Sequence, residues 1–271
     1  MGNDPATPVT SPPNRIVLAD AHCHLDQLPD LDAAMAAATD VGVMRMLACS
    51  EDEASMRATL HLADRFPETV VPGIGLHPAA LVQQSDAAVE AGLAFLCANL
   101  HRVAFVGEVG LDYLHAATPA QRQRQHEVLM RQLDVAGRNR LPVCLHSRRA
   151  QRETLTIAAQ FRKVWGVPAL LHWFTHSTKL IGHACAASGI YVSAGPSVLI
   201  NPSILSVAAT VRLDRLLVET DSPVPYGGEP SRPAWIPRIV HALAAVHGMD
   251  DEALAVILDE NLDRFLFSSK R

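Results

Sequence analysis

Apolar, β-branched runs recur along this chain, separated by stretches whose apolar residues repeat at helical spacing. The runs Ile16–Ala21, Val43–Ala48, Val70–Leu76, Val103–Val109, Leu141–Leu145, Ala169–His172, Ile190–Ala194 and Leu216–Thr220 are continuous rather than alternating. That is the pattern of strands buried on both faces, as in a parallel sheet. The segments between them predict helices over Glu51–Phe66, Asp86–Leu100 with Ser85 as cap, Arg148–Val164, Thr178–Ala187, Ser203–Thr210, Ala234–Val246 and Asp250–Phe265. Thr118-Pro119-Ala120-Gln121 reads as a capping box with proline in the first helical position, opening a helix that runs through Ala136. Strands alternating with helices imply right-handed crossovers and a parallel sheet. Eight such units predict an α/β fold of the (β/α)8 TIM-barrel type, which needs about 31 residues per unit in a barrel of about 250 residues. A doubly wound open sheet is the alternative.

Residues 1–14 (MGNDPATPVTSPPN) are rich in proline, threonine and small polar residues and predict a disordered tail. They carry neither a basic nor an apolar segment of a signal peptide. Residues 15–271 contain no repeat and no linker-like stretch, so one domain is expected. A hydrophobic content of 49% with 19% charged residues fits a globular chain, and 271 residues can bury a core without disulfides. The cysteines at 23, 49, 97, 144 and 185 are odd in number and form no C-x-x-C pair, which excludes a disulfide framework or zinc ribbon and predicts a reducing, cytoplasmic setting. No apolar run is long enough to span a bilayer. The net charge of −5 argues against a broad basic surface that holds nucleic acid by counterion release.

Polar residues that interrupt the apolar pattern are concentrated at strand ends. Of 13 histidines, His22, His24, His77, His146, His172 and His176 fall at or just after the carboxyl ends of predicted strands. Asp20, Asp26, Glu108, Asp112, Glu219 and Asp221 share that location. In a barrel these ends form the rim on which active sites are built. His22 and His24 alternate along one strand, so both imidazoles can reach one ion. Glu108 ends a run too apolar to bury an unpaired carboxylate. Singly, His146 after PVCL and His172 after PALL read as hydrogen-bonded core histidines; together, four histidines and two carboxylates on one rim read as a ligand set. Imidazole with carboxylate suits zinc, manganese or iron better than an all-oxygen magnesium cage. Six donors exceed those of a single catalytic zinc and point to two ions sharing a carboxylate. There is no dinucleotide fingerprint, Walker A sequence or G-x-S-x-G elbow, and the closing Lys270-Arg271 pair is too short for a nucleic-acid arm.

The segments DAHCHLD (20–26), GLHP (75–78), GEVGLDY (107–113), HSR (146–148), ETDSP (219–223) and Asn261-Leu262-Asp263-Arg264-Phe265 resemble, in order, those of the TatD-like family of metal-dependent hydrolases. That family is commonly described as deoxyribonucleases and is similar in fold to the amidohydrolase superfamily. The resemblance implies that His22, His24 and Asp221 hold one divalent ion, that His146 and His172 hold a second, and that Glu108 bridges them, the ions being zinc, manganese or magnesium. Asp221 would also orient or deprotonate the attacking water. Arg148 would grip a phosphate oxygen with its fork of donors, and His77 would either donate to the same group or order the GLHP turn. Asp112 and Asp26 are expected to support loops or histidines rather than touch metal.

Two departures bear on substrate choice. The run His172-Trp173-Phe174-Thr175-His176-Ser177 replaces a smaller His-Cys-Phe-Ser-Gly-like turn, and the loop Ser222–Pro233 begins with a shorter proline- and glycine-rich run. The expected substrate is a DNA strand end or small phosphodiester, with no membrane and no stable protein partner. The alternatives are hydrolysis of a small amide, ester or lactone, and a non-catalytic metal-binding module. Two divalent ions would offset most of the net negative charge, so composition opposes long-footprint duplex binding but not a strand end entering a metal-lined pocket. An aromatic content of 5% offers little for a base-stacking platform.

Overall fold

In the computed structural model, which describes residues 17–175 and 177–267, the continuous apolar runs pair into one eight-stranded sheet in sequence order. Its strands are β1 (Leu18–Cys23), β2 (Val43–Ala48), β3 (Val70–Ile74), β4 (Phe105–Asp112), β5 (Val143–Arg148), β6 (Ala169–Leu171), β7 (Ile190–Ala194) and β8 (Leu216–Val218). Every neighbouring pair is parallel. Across the seam, the chain after β8 meets β1 at the upper edge. The Asp221 N–H donates to the His22 carbonyl at 2.9 Å and the His24 N–H to the Ser222 carbonyl at 2.8 Å. The result is a nearly closed (β/α)8 barrel in a single domain, as the alternation predicts. The predicted tail at 1–14, His176 and Lys270-Arg271 lie outside the described residues.

The helical ring comprises α1 (Leu31–Asp40), α2 (Glu53–Arg65), α3 (Pro78–Leu81), α4 (Asp86–Asn99), α5 (Pro119–Arg138), α6 (Gln151–Trp165), α7 (Thr178–Ala186), α8 (Ser197–Ile200), α9 (Pro202–Ala208), α10 (Ile236–His247) and α11 (Asp251–Phe267). The capping box is formed as read: Thr118 accepts from the Gln121 N–H at 3.2 Å while Gln121 accepts from the Thr118 N–H at 3.0 Å. Ser85 caps α4 through the Ala88 N–H. The helix expected from Arg148 starts at Gln151 instead, because β5 runs on to Arg148 and Arg149 turns the chain with φ +57°. Helix α1 has no counterpart in the sequence reading; it buries only Met35 and Ala38, and alanines fall on its exposed face as well, which gives little hydrophobic periodicity. Helices α3 and α8 and the hairpin of β9 (Pro225–Tyr226) with β10 (Glu229–Pro230) are too short for any period to register.

The core has two layers. The larger lies between the strands and the helical ring. The smaller fills the barrel interior with Ala21, Leu47, Phe105, Cys144, Leu170, Tyr191 and Leu217, and is plugged from below by Leu262, Phe265 and Leu266 of α11. The Phe265 ring stands 6.4 Å from Phe105 and 5.9 Å from Tyr191, spacings favourable for aromatic contact. The Asn261 amide clasps the Leu213 and Leu216 carbonyls at 2.6 and 2.8 Å, and Arg264 donates to Asn261 Oδ1 at 2.8 Å. The closing N-x-x-R-F segment therefore fastens the plug beneath β8. With the lower interior filled by apolar side chains, the polar strand ends can gather only at the top. Among the described residues no helix is long and apolar enough to cross a membrane.

Candidate metal centre

Four donor atoms converge where β1 meets the end of β8. His22 Nε2 and His24 Nε2 are 3.3 Å apart. Glu108 Oε2 is 3.3 Å from each of them, and Asp221 Oδ1 is 3.5 and 3.6 Å away. All four residues are buried. Five of the six separations among these atoms are therefore 3.3–3.6 Å, the spacing of donors that share one ion at zinc–nitrogen and zinc–oxygen bond lengths of about 2.0–2.2 Å. The donor set therefore fits a divalent ion. Asp221 presents its carboxylate from φ +49°, a left-handed conformation that aspartate tolerates better than most residues.

The other oxygen of Glu108 faces a second group. His146 Nδ1 and His172 Nε2 lie 2.6 and 2.7 Å from Glu108 Oε1 and 3.3 Å from one another. These are hydrogen-bond separations, so the second set is drawn together more tightly than the first. Glu108 thus spans both sets, one oxygen to each. Burial alone would push its carboxyl pKa up, but the imidazoles of His172, His77, His22 and His146 outweigh it and hold the group well below the usual carboxylate range. Burial opposes ionisation of Asp221 too, and hydrogen bonds from His22 and His24 again prevail. Desolvation lowers the affinity of His24 for a proton, yet Asp221 and Glu108 together lift its pKa to about 9. These buried imidazoles and carboxylates are held together by a positive charge, which a metal supplies as well as protons do.

His77 orders the turn that follows β3 and also reaches the donors. Its Nδ1 accepts the Ala79 N–H at 3.1 Å and so caps α3. Its Nε2 points to Glu108 Oε1 at 3.5 Å. Arg148 stands exposed at the end of β5, two residues beyond His146 and on the same strand face, and forms no ion pair with a described residue.

Residues behind the donors hold them in place, among them Asp112, Glu219 and Asp20, which the sequence already placed at strand ends, and Cys49, Cys144 and Ser193, to which it gave no role at the site. Asp112 supports a loop and a histidine together: Oδ1 accepts from the Leu114 and His115 N–H groups, and Oδ2 lies 3.4 Å from His146 Nε2. Glu219 Oε1 stands 3.4 Å from His172 Nδ1, and its Oε2 accepts the Ser193 hydroxyl at 2.5 Å. Ser193 in turn accepts the Trp173 N–H. Beneath the rim, His22 Nδ1 is 3.3 Å from both Cys144 Sγ and Cys49 Sγ. Asp20 receives the N–H and hydroxyl of Thr220 and the His22 N–H, tying β1 to the end of β8; burial raises its pKa to about 7 against those donors. Alternation carried the signal for Cys144 and Glu219, each two residues before a donor on its own segment. Asp26 is half-buried, and burial raises its carboxyl pKa while His24 pulls it down. Gly110 (φ +152°) allows β4 and β5 to close here, since a Cβ would sit 2.2 Å from the His146 carbonyl oxygen.

The two departures from the resemblance meet at the lip. The Trp173 and Tyr226 rings lie 5.1 Å apart at 51°, and the Tyr226 hydroxyl is buried without a hydrogen-bond partner. Burial, with Asp221 and Glu219 nearby, drives the Tyr226 pKa up.

Comparison with known proteins gives the same picture across the chain. The sequence profile described as TatD related DNase matches residues 19–267. The chain is 34% identical over 261 residues to YcfH, an uncharacterised metal-dependent hydrolase of Escherichia coli K12, covering 91% of this chain and 94% of that protein. It is 29% identical over 245 residues to the 3'-5' ssDNA/RNA exonuclease TatD of Salmonella typhimurium, covering 86% and 91%. The crystal structure of YjjV, a TatD homologue from E. coli K12, superposes with a TM-score of 0.81 at 26% identity over 92% of this chain and 97% of that one.

Proposed function

The chain belongs to the TatD-related DNase family of metal-dependent hydrolases, and from that premise we propose that it cleaves phosphodiester bonds at nucleic-acid strand ends, with two divalent cations held on the barrel rim. The observation that carries this reading is the convergence of Glu108 Oε2 and Asp221 Oδ1 to within 3.3–3.6 Å of both His22 Nε2 and His24 Nε2, adjoined by His146 and His172 through the other oxygen of Glu108. The six residues would hold zinc, manganese or magnesium, Glu108 serving both ions. Bound there, the pair would supply an acidified water and a counter-charge for the attacking and leaving oxygens.

The protein groups divide the remaining work. Asp221, ionised despite burial, accepts the proton of the attacking water. Arg148 offers a free fork of donors to a non-bridging phosphate oxygen. Because His77 Nδ1 accepts a backbone N–H, its proton sits on Nε2, beside Glu108 Oε1, and would turn to the same phosphate where Glu108 is engaged by the ions. Trp173 and Tyr226 form an apolar wall for the terminal base or sugar, with the unpartnered Tyr226 hydroxyl as a polar handle. The name of the Salmonella relative, an exonuclease on single strands, agrees with a site that receives a strand end.

The test is a panel of single-stranded DNA, duplex DNA, RNA and lactones, each assayed with magnesium, manganese and zinc. Cleavage of a phosphodiester is expected with metal, and Asp221→Asn is expected to lower kcat by about 10²–10⁴-fold, the range for loss of a general base. Undiminished DNA cleavage by that variant, or lactone turnover with inert DNA, overturns the reading.

A further inference from the structure

The cations of the helical ring are not distributed alike. On the α4/α5 side, Arg124 pairs with Asp86 and Arg131 with Glu90. Toward α2, Arg102 pairs with Asp64 at 2.8 Å and Arg57 with Glu53 at 2.6 Å. The groove between α6 and α7 differs. It presents Arg152, Lys163, Lys179 and His183 beside Thr156 and Gln160, with no carboxylate in its lining. None of the three Lys and Arg side chains has an ion pair with a described residue, and all three are exposed. Glu153, the nearest acid in sequence, is turned away and accepts the Tyr113 hydroxyl at 2.8 Å.

The placement of these charges gives the groove a direction. Helix α6 follows β5 and α7 follows β6, so both begin at the rim. Arg152 and Lys179 lie in those first turns, beside the rim, where Arg148 and Arg149 are also exposed and without ion pairs. Lys163 lies in the last turn of α6, eleven residues beyond Arg152, or about 16 Å along the helix axis. The cations therefore form a track that starts beside the metal centre and descends the outer wall of the barrel.

We infer that the α6/α7 groove is the secondary binding track for the body of a single nucleic-acid strand whose end occupies the metal centre. This rests on the phosphodiesterase reading above. Unpaired cations at intervals, flanked by the hydroxyl of Thr156 and the amide of Gln160, suit the repeating phosphates of a flexible strand. With an overall charge of −5, an acid-free cationic groove beside the rim would favour one path for the strand over the acidic surface around it.

The experiment neutralises Arg152→Ala, Lys163→Ala and Lys179→Ala together, at exposed helical positions where alanine keeps the helix. Binding of a fluorescent 20-nucleotide single strand is measured by anisotropy in EDTA, where nothing is cleaved. Removing three phosphate contacts should reduce the slope of log affinity against log salt by about 2, so between 50 and 200 mM salt the wild type loses about 20-fold more affinity than the variant. With metal present, KM for the long strand should rise while kcat/KM for a dinucleotide stays the same. An unchanged salt slope and an unchanged long-strand KM overturn the track, whatever the dinucleotide shows. Tighter capture of poly-glutamate than of DNA of equal charge assigns the groove to an acidic protein and also overturns it. A strand that binds through these cations but is not cleaved with magnesium, manganese or zinc upholds the track and sinks the phosphodiesterase reading.

Discussion

Glu219 shows how much of the metal centre is built behind its donors. Its carboxylate is fully buried, receives the Ser193 hydroxyl and lies against the back of the His172 ring. A carboxylate at this distance favours a proton on the ring nitrogen that faces it and leaves the other nitrogen for a metal. Glu219→Gln keeps the shape but removes the negative charge beside His172 Nδ1, and affinity for manganese or zinc should fall about 10–100-fold. A chelator-competition titration reads this directly, with circular dichroism to verify that the fold is retained. Unchanged affinity would mean that Glu219 only fills space. His22 relies on different chemistry, with two thiols where His172 has a carboxylate, so the two halves of the centre are supported unequally.

At the level of elements, packing overrides local preference where helices meet. Gly137 lies near the end of α5, and a Cβ there would stand 2.3 Å from the Trp165 ring of α6. Alanine is the better helix former by about 1 kcal/mol, so propensity alone predicts that Gly137→Ala stabilises the protein. Overpacking costs about 1–3 kcal/mol, and the net expectation is a lower denaturation midpoint in urea. A higher midpoint would show that Trp165 yields freely. Sequence and structure agree best where a local rule decides: the Thr118–Gln121 capping box needs only neighbours in the chain. They part where the chain turns, as at Arg149, where a left-handed residue ends β5 later than the apolar run implies and delays α6.

For the whole molecule, the candidate metal centre and the barrel seam are one structure. Asp221 and His22, two of the proposed ligands, also supply a backbone hydrogen bond between the end of β8 and β1. An ion held there should clamp the least-paired edge of the sheet. Manganese or zinc at 100 times its Kd is expected to add about 2.7 kcal/mol to stability by mass action. Tm should rise on metal addition, fall back with EDTA, and respond far less in Asp221→Asn. The absence of any shift in the wild type would argue that the folded rim binds no ion. The α11 plug sets the lower limit of the same barrel, so the polar chemistry is confined to one end.

Strand order, the number of βα units and the residue types at the strand ends were legible in the sequence. Each follows from short-range rules: burial on both faces makes a run continuously apolar, and a polar residue ending such a run needs a reason to be there. The positions of His22, His24, Glu108, His146, His172 and Asp221 could be read in this way. Which atoms meet could not. That Glu108 turns one oxygen to each histidine pair, or that Glu219 backs His172, depends on side chains tens to hundreds of residues apart arriving within 4 Å. The same holds for charge. Arg124 and Lys163 look alike as exposed helical cations, and only tertiary structure pairs one with Asp86 and leaves the other facing an acid-free groove. Coulomb interactions between exposed groups fade within about 10 Å in salt, so the field at any point is set by neighbours in space, which the chain's order alone does not specify.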